Sequence, residues 1–178
     1  QVDVMVNNAA YPGPWKELVD LEYDEWDAVQ NTNVRGSMSC CKHVLPHMIA
    51  RKSGSIINVS STAGRRGLAR KTHYSTSKFA LIGFTRALAM EVGKHNIRVN
   101  CIVPGAIMTD LLSRVFEREA REQGITPEES KARFAASSPM DRIVGPDEVA
   151  DLMVFLGSDL SRGIHGQSID INAGSFMV

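Results

Sequence analysis

The chain has only three cysteines, no excess of either charge and no apolar run long enough to cross a bilayer. Each shortage removes a class of protein. Cys40 and Cys41 are adjacent within a helical pattern and Cys101 sits in an apolar, strand-like run, so no disulfide framework can be read from them. All three are expected to be small buried hydrophobes in a reducing compartment. Twenty Lys and Arg balance twenty Asp and Glu. With no basic stripe there is no electrostatic footprint for nucleic acid, and no Lys/Arg-rich amphipathic segment suits a membrane surface. No charged-then-apolar leader opens the chain, which fits the cytoplasm. Repeats, low-complexity tracts and interdomain linkers are missing as well. So is any glycine-rich strand-turn-helix that could cradle a pyrophosphate. The chain begins inside an apolar strand, "QVDVMVNNAA", and the first half of the sheet is expected upstream of it.

What remains is 178 residues, 43% hydrophobic and 22% charged, enough for one globular domain with a small-molecule ligand. Val2 to Val6 reads as a buried strand ending at Asn7 and Asn8. Helical spacing runs from about Asp24 to about Arg51, weakened by Gly36 and Pro46. "SGSIINVSS" is a second strand, and residues 73 to 93 form a helix that is apolar nearly all round, which implies cover on two sides. "IRVNCIVPG" is a third strand. A charged, amphipathic excursion over 110–138 follows, with Thr126 as N-cap, Pro127 at the first helical position and Glu129 completing a capping box. "GPDEVADLMVFLGS" is a helix opened by Pro146, and "GQSIDINAG" is a last strand. This order implies βαβ units on a doubly wound parallel sheet, a Rossmann-like, three-layer α/β/α fold over residues 1–178 whose N-terminal strands are missing.

In such a sheet, ligands bind beyond the carboxyl ends of the strands. The first strand delivers Asn8, Ala9 and Ala10 there, the second Ser60 and Ser61, and the third Pro104 and Gly105. The helix after the second strand begins with Tyr74 and Lys78. A tyrosine hydroxyl, with an ordinary pKa near ~10, needs roughly 4 kcal/mol of anion stabilisation to act as a base near neutrality. One cation at about 4 Å supplies that at an effective dielectric of ~20. Lys78 lies one helical turn from Tyr74 on the same face. By itself Tyr-x-x-x-Lys is a common helix-face pair; the serine pair and the Pro-Gly turn at neighbouring strand ends make the combination specific.

With "NNAA", "NVSS", "YSTSK", "PGAIMTD" and the closing "DEVADLMVFLGSDLSRGIHGQSIDINAG", nearly the whole chain resembles the C-terminal part of a short-chain dehydrogenase/reductase. The resemblance implies an NAD- or NADP-dependent oxidoreductase that interconverts a secondary alcohol and a ketone. Tyr74 would be the general acid/base, Lys78 would lower its pKa and hold the nicotinamide ribose, and Ser61 would orient the reacting oxygen. Asn33, in "NTNVRG", matches the asparagine that anchors a relay water. Asn8 and Ala9 would line the adenosine side. Ile107 and Thr109 would contact the carboxamide region after Pro104 and Gly105. Ala10 stands where glycine is usual. The family also implies a homodimer or homotetramer, and the 110–138 excursion would cover the substrate. The alternatives are a non-catalytic, dinucleotide-responsive relative or an inert truncated product.

Several residues also have plainer readings. His43 and His47 form an i, i+4 pair with no third metal ligand, so a partly exposed helix face is expected and no metal. His73 borders Tyr74 and could touch substrate. Tyr11 and Trp15 could line a pocket or pack within their loop. Arg65, Arg66, Arg70 and Lys71 read as a solvated loop. An asparagine inside a helix, such as Asn33, can serve only to satisfy a backbone group where the helix is distorted. Ser60 could replace Ser61, which spacing favours. Leu111, Leu112, Val115 and Phe116 share one side of the excursion.

Overall fold

The computed structural model describes residues 1–177, with Leu111 described through its backbone alone. The expected side-chain grouping at Leu111 therefore lies outside the described residues. Strands β1 (Val4–Asn7), β2 (Gly54–Val59), β3 (Ile97–Pro104) and β4 (Ser168–Ile171) form one sheet in the order β1-β2-β3-β4. The pairings are parallel, with Asn7 opposite Asn58 and Val59 opposite Ile102. β1 starts two residues later than its apolar pattern suggests. Val4 is 42% exposed, so this strand is not buried along its length as expected.

The helices are α1 (Tyr23–Gln30), α2 (Gly36–Arg51), α3 (Thr72–Val92), α4 (Asp110–Gln123), α5 (Pro127–Ala135) and α6 (Pro146–Gly157). Thr126 caps α5 with Pro127 first and Glu129 closing the box, as its sequence dictates. Between α1 and α2 the chain does not break at Gly36. It widens into a π-helical segment, Asn31–Arg35, closed by the Gly36 amide donating to the Asn31 carbonyl. Such segments fit one extra residue into a helix and commonly re-aim a side chain. Here that side chain is Asn33.

By clustering of its contacts the chain divides into two compact units. The first comprises Gln1–Val103 with Met153–Ile169. Because strand side chains alternate faces, Ile56, Ile97 and Val99 join Cys41, Val44, Met48, Leu88 and Val92 of α2 and α3 in the principal core. Ser55 and Arg98 point the other way. Ser55 Oγ donates to the Leu156 carbonyl at 2.9 Å, and the Arg98 guanidinium donates to the carbonyls of Leu156 at 2.6 Å and Ser158 at 3.1 Å. That guanidinium satisfies carbonyls left over at the end of α6. The expected cover on both sheet faces is therefore present.

Polar groups cross this interior in an ordered way. Asn7 Nδ2 donates to Asn58 Oδ1 at 2.8 Å, and Asn58 Nδ2 donates to Thr85 Oγ1 at 2.8 Å. Thr85 Oγ1 passes the chain to the Leu81 carbonyl, also at 2.8 Å. His165 bridges α3 and β3, receiving the Val99 amide at Nδ1 and facing the Ala89 carbonyl from Nε2. Of the cysteines, Cys41 and Cys101 are buried, but Cys40 is exposed, contrary to expectation. Adjacent residues on a helix point about 100° apart, so both could not face one core.

The second unit holds Pro104–Leu152 and the C-terminal stretch from Asp170. α4 and α5 pack through Phe116 and Phe134, whose rings meet edge to face at 5.6 Å. Among the described residues no helix is long and apolar enough to cross a membrane.

Candidate functional site

Four of the expected site residues, Asn33, Ser61, Tyr74 and Lys78, belong to the first unit. β2 ends at Val59, and the two serines that follow have separate tasks. Ser60 is buried, with its hydroxyl donating to the Lys78 carbonyl at 2.7 Å. Ser61 is half-buried and caps a short 3₁₀ turn, Thr62–Gly64, by accepting from the Ala63 amide at 3.1 Å. Gly64 is the residue that fits beside them, since a Cβ there would lie 2.7 Å from the Lys78 carbonyl oxygen. Ser61 is thus the serine with chemistry to spare.

Its side chain stands close enough to the Tyr74 hydroxyl to act on its proton equilibrium. Burial raises the Tyr74 phenol above its ordinary value, and the Ser61 hydroxyl pulls it partly back. The Lys78 ammonium is buried and donates to the Val59 carbonyl at 2.8 Å. It lies 5.6 Å from the centroid of the Tyr74 ring, so it meets the ring face. Burial draws the Lys78 ammonium down from 10.5 to about 8. Tyr74 and Lys78 are therefore neighbours in space as well as on the helix.

Asn33, fully buried in the π-helical segment, holds a loop. Its Oδ1 accepts from the Tyr11 amide at 2.7 Å, and its Nδ2 donates to the Tyr11 carbonyl at 3.0 Å and to Ser77 Oγ at 2.9 Å. Ser77 Oγ in turn donates to the Tyr74 carbonyl at 2.7 Å. The backbone-satisfying reading of Asn33 is visible in these bonds. Asn8, Ala9 and Ala10 are exposed just beyond β1, where the parallel sheet presents its carboxyl ends.

Pro104, Gly105, Ile107 and Thr109 belong to the second unit. The Gly105 amide donates to the Ile171 carbonyl at 2.9 Å, and a Cβ at Gly105 would lie 2.7 Å from Asn172 Cβ, so close backbone approach selects glycine. Ile107 makes an isolated parallel bridge with Val144. Thr109 is exposed and caps α4, its Oγ1 accepting from the Leu112 amide.

Lys71 departs most from expectation. It is 4% exposed rather than solvated, and its Nζ donates to the carbonyls of Pro12 at 2.9 Å and Gly13 at 2.7 Å. Arg70 and Arg66 remain exposed, and Arg65 is half-buried, donating to the Ser168 carbonyl at 2.7 Å. A run of charged residues gave no sign that one would turn inward to carbonyls more than fifty residues away. The asparagines of "INVSS" and "RVNC" did carry a sign, because a polar residue in an apolar strand has to be paired. His73 is fully buried, and among the described residues no group meets either ring nitrogen in good hydrogen-bond geometry. Burial lowers its pKa, and the Pro12 and Pro14 backbone lies near enough to raise it somewhat in return. His43 and His47 are exposed on α2, and among the described residues no three His, Cys, Asp or Glu side chains gather as a metal would require.

The model of a family described as enoyl-(acyl carrier protein) reductase matches residues 1–175. The chain is 37% identical over 174 residues to 3-oxoacyl-(acyl-carrier-protein) reductase FabG of Thermotoga maritima, an alignment covering 98% of this chain and 66% of that protein. It thus spans just under two thirds of that relative's length. Among solved structures it is similar to xylitol dehydrogenase with NAD+ bound, at a TM-score of 0.86 and 31% identity, covering 98% of this chain and 69% of that one. It is also similar to ElxO with NADP bound, at 0.85 and 29%, with coverages of 98% and 67%.

Proposed function

The chain belongs to the short-chain dehydrogenase/reductase family, and on that premise we propose that the whole protein is an NAD- or NADP-dependent oxidoreductase interconverting a secondary alcohol and a ketone. The observation that carries this reading is the Lys78 ammonium against the face of the Tyr74 ring, with Tyr74 and Ser61 half-buried at the first turn of α3 and the end of β2 and Ser61 acting on the Tyr74 phenol. Two neighbouring hydroxyls of this kind can both engage one substrate oxygen.

In the reduction direction Tyr74 gives its proton to the carbonyl oxygen, and in oxidation it takes the proton from the alcohol. Ser61 holds that oxygen in place and shares the charge that develops on it. Lys78 favours the phenolate and offers its remaining donors to a ribose. Asn33 fixes the Tyr11 backbone and, through Ser77, the first turn of α3. Asn8 and Ala9 face the adenosine side, and Pro104, Gly105, Ile107 and Thr109 the carboxamide side. The donors fit the group, since exposed backbone at the end of β1 and an ammonium beside a tyrosine suit a ribose and a carbonyl. The bound nicotinamide supplies or accepts the hydride. Residues 110–138 serve in this reading as the substrate-covering segment of a single Rossmann-like domain.

A homodimer or homotetramer is part of the reading, supported by apolar residues left exposed on α3, with Phe79 at 47% and Met90 at 87%. A cytoplasmic setting accords with the unpaired cysteines. The test is Tyr74→Phe in the full-length protein, followed by nicotinamide absorbance across a panel of alcohols and ketones. Turnover is expected to vanish while dinucleotide affinity changes little. Near-normal turnover in that variant would overturn the mechanism.

A further inference from the structure

The loop between β1 and α1 is fastened at Tyr11, Pro12, Gly13, Trp15 and Lys16. Asn33 holds both backbone groups of Tyr11, and the Lys71 ammonium takes the carbonyls of Pro12 and Gly13. His73 packs against Gly13 so closely that a Cβ there would lie 2.5 Å from its Nε2. Lys71 Nζ also lies 4.7 Å from the centroid of a Trp15 ring, and Arg70 donates to the Trp15 carbonyl at 3.2 Å. The Lys16 amide donates to the Arg70 carbonyl at 3.1 Å, and its ammonium pairs with Glu25 at 2.6 Å. Apart from Asn33 and Glu25, the fasteners are Arg70, Lys71 and His73, the stretch that leads into the first turn around Tyr74.

This arrangement is costly. Lys71 is a buried cation at the N-terminus of α3, where the helix dipole opposes positive charge. Arg70 adopts φ +61, a left-handed conformation that non-glycine residues rarely take. Yet the loop so secured does not bury its aromatic side chains, since Tyr11 is 44% and Trp15 56% exposed. Strain spent on ordering a backbone while leaving two aromatic side chains part-exposed suits a surface that meets a ligand rather than a core.

We propose that Lys71 is a positioning residue that sets the Tyr11–Trp15 loop as an aromatic wall beside the turn bearing Tyr74, and that this wall selects ketones with a bulky apolar or ring-shaped group next to the carbonyl. The inference rests on the oxidoreductase reading above. Lys71 acts through the loop and touches no reacting atom. Its planar counterpart, arginine, can also donate to two carbonyls and stack on an indole.

The experiment uses the full-length protein with Lys71→Met, Lys71→Arg, Gly13→Ala and Trp15→Ala, and compares an aryl ketone with a short aliphatic one. Lys71→Met, Gly13→Ala and Trp15→Ala are each expected to raise KM for the aryl ketone roughly tenfold, the scale of one lost aromatic contact. KM for the aliphatic ketone, kcat and dinucleotide affinity should stay within about twofold. Lys71→Arg should recover most of the loss. An unchanged ratio of the two KM values in Lys71→Met and Trp15→Ala overturns the proposal, as does an equal loss on both ketones. Hydrogen exchange of residues 11–16 separates the two levels of argument. If neither ketone is turned over by the unmodified protein, the oxidoreductase reading fails, and unchanged exchange in Lys71→Met then overturns the clamp itself.

Discussion

The Lys78 ammonium meets the face of the Tyr74 ring 5.6 Å from its centroid while donating to the Val59 carbonyl at 2.8 Å. Burial holds this lysine at about 8, so it is cationic below that pH and neutral above it. Ketone reduction by the full-length protein should therefore hold its kcat/KM up to about pH 8 and decline beyond as the ammonium is lost. In Lys78→Arg the charge persists to much higher pH, and the decline should move upward with it. Superimposable pH profiles for the two proteins would show that Lys78 does not set the basic limb.

Ser60 and Ser61 should separate by phenotype. Ser61→Ala is expected to cost about 10²-fold or more in turnover, the usual effect of losing a donor to the reacting oxygen, with little change in urea midpoint. Ser60→Ala removes the hydroxyl bound to the Lys78 carbonyl and should lower stability by about 1 kcal/mol with a smaller kinetic effect. The opposite assignment of the two effects would transfer the catalytic role to Ser60.

His73 is held below its ordinary value, first by burial and then by the Lys71 charge. The unfolded chain, titrating near ~6.5, takes up this proton before the folded chain does. The contribution to stability is thus complete above about 6.5 and is lost as pH falls from there through the folded value. Denaturation midpoints of wild type and His73→Phe, measured across that window, should converge on acidification; parallel curves would remove His73 from the acid response.

Arg98 leaves β3 to satisfy the carbonyls that end α6. Arg98→Met keeps much of the stem but strands those groups, and about 2–3 kcal/mol of stability should go with them. Thermal unfolding measures the loss. A variant as stable as the parent would mean that water replaces the guanidinium without penalty.

How much of this could be read from residues alone depends on how local the cause is. The α5 cap is written within Thr126, Pro127 and Glu129, and the strands within their apolar runs. Tyr74 and Lys78 share a helix face by spacing. Where the polar end of Lys78 points is decided by a partner elsewhere, the Val59 carbonyl. Lys71 departs from its solvated-loop reading for the same reason, because its acceptors on Pro12 and Gly13 are distant in sequence. Asn33 is legible as a position in a motif, whereas its bonds to Tyr11 and Ser77 depend on a π-helical segment that no composition announces.

The paired amides of Asn7 and Asn58 carry a consequence for how the chain finds its fold. β1 and β2 are short apolar segments, and hydrophobic contact alone discriminates poorly between neighbouring alignments. A shift by one residue would set Asn7 beside Ile57 or Val59 and leave buried amide groups without partners, at a cost of a few kcal/mol. Misaligned encounters between these strands are thereby made short-lived, and the two amides proofread the assembly of the sheet before any ligand is present.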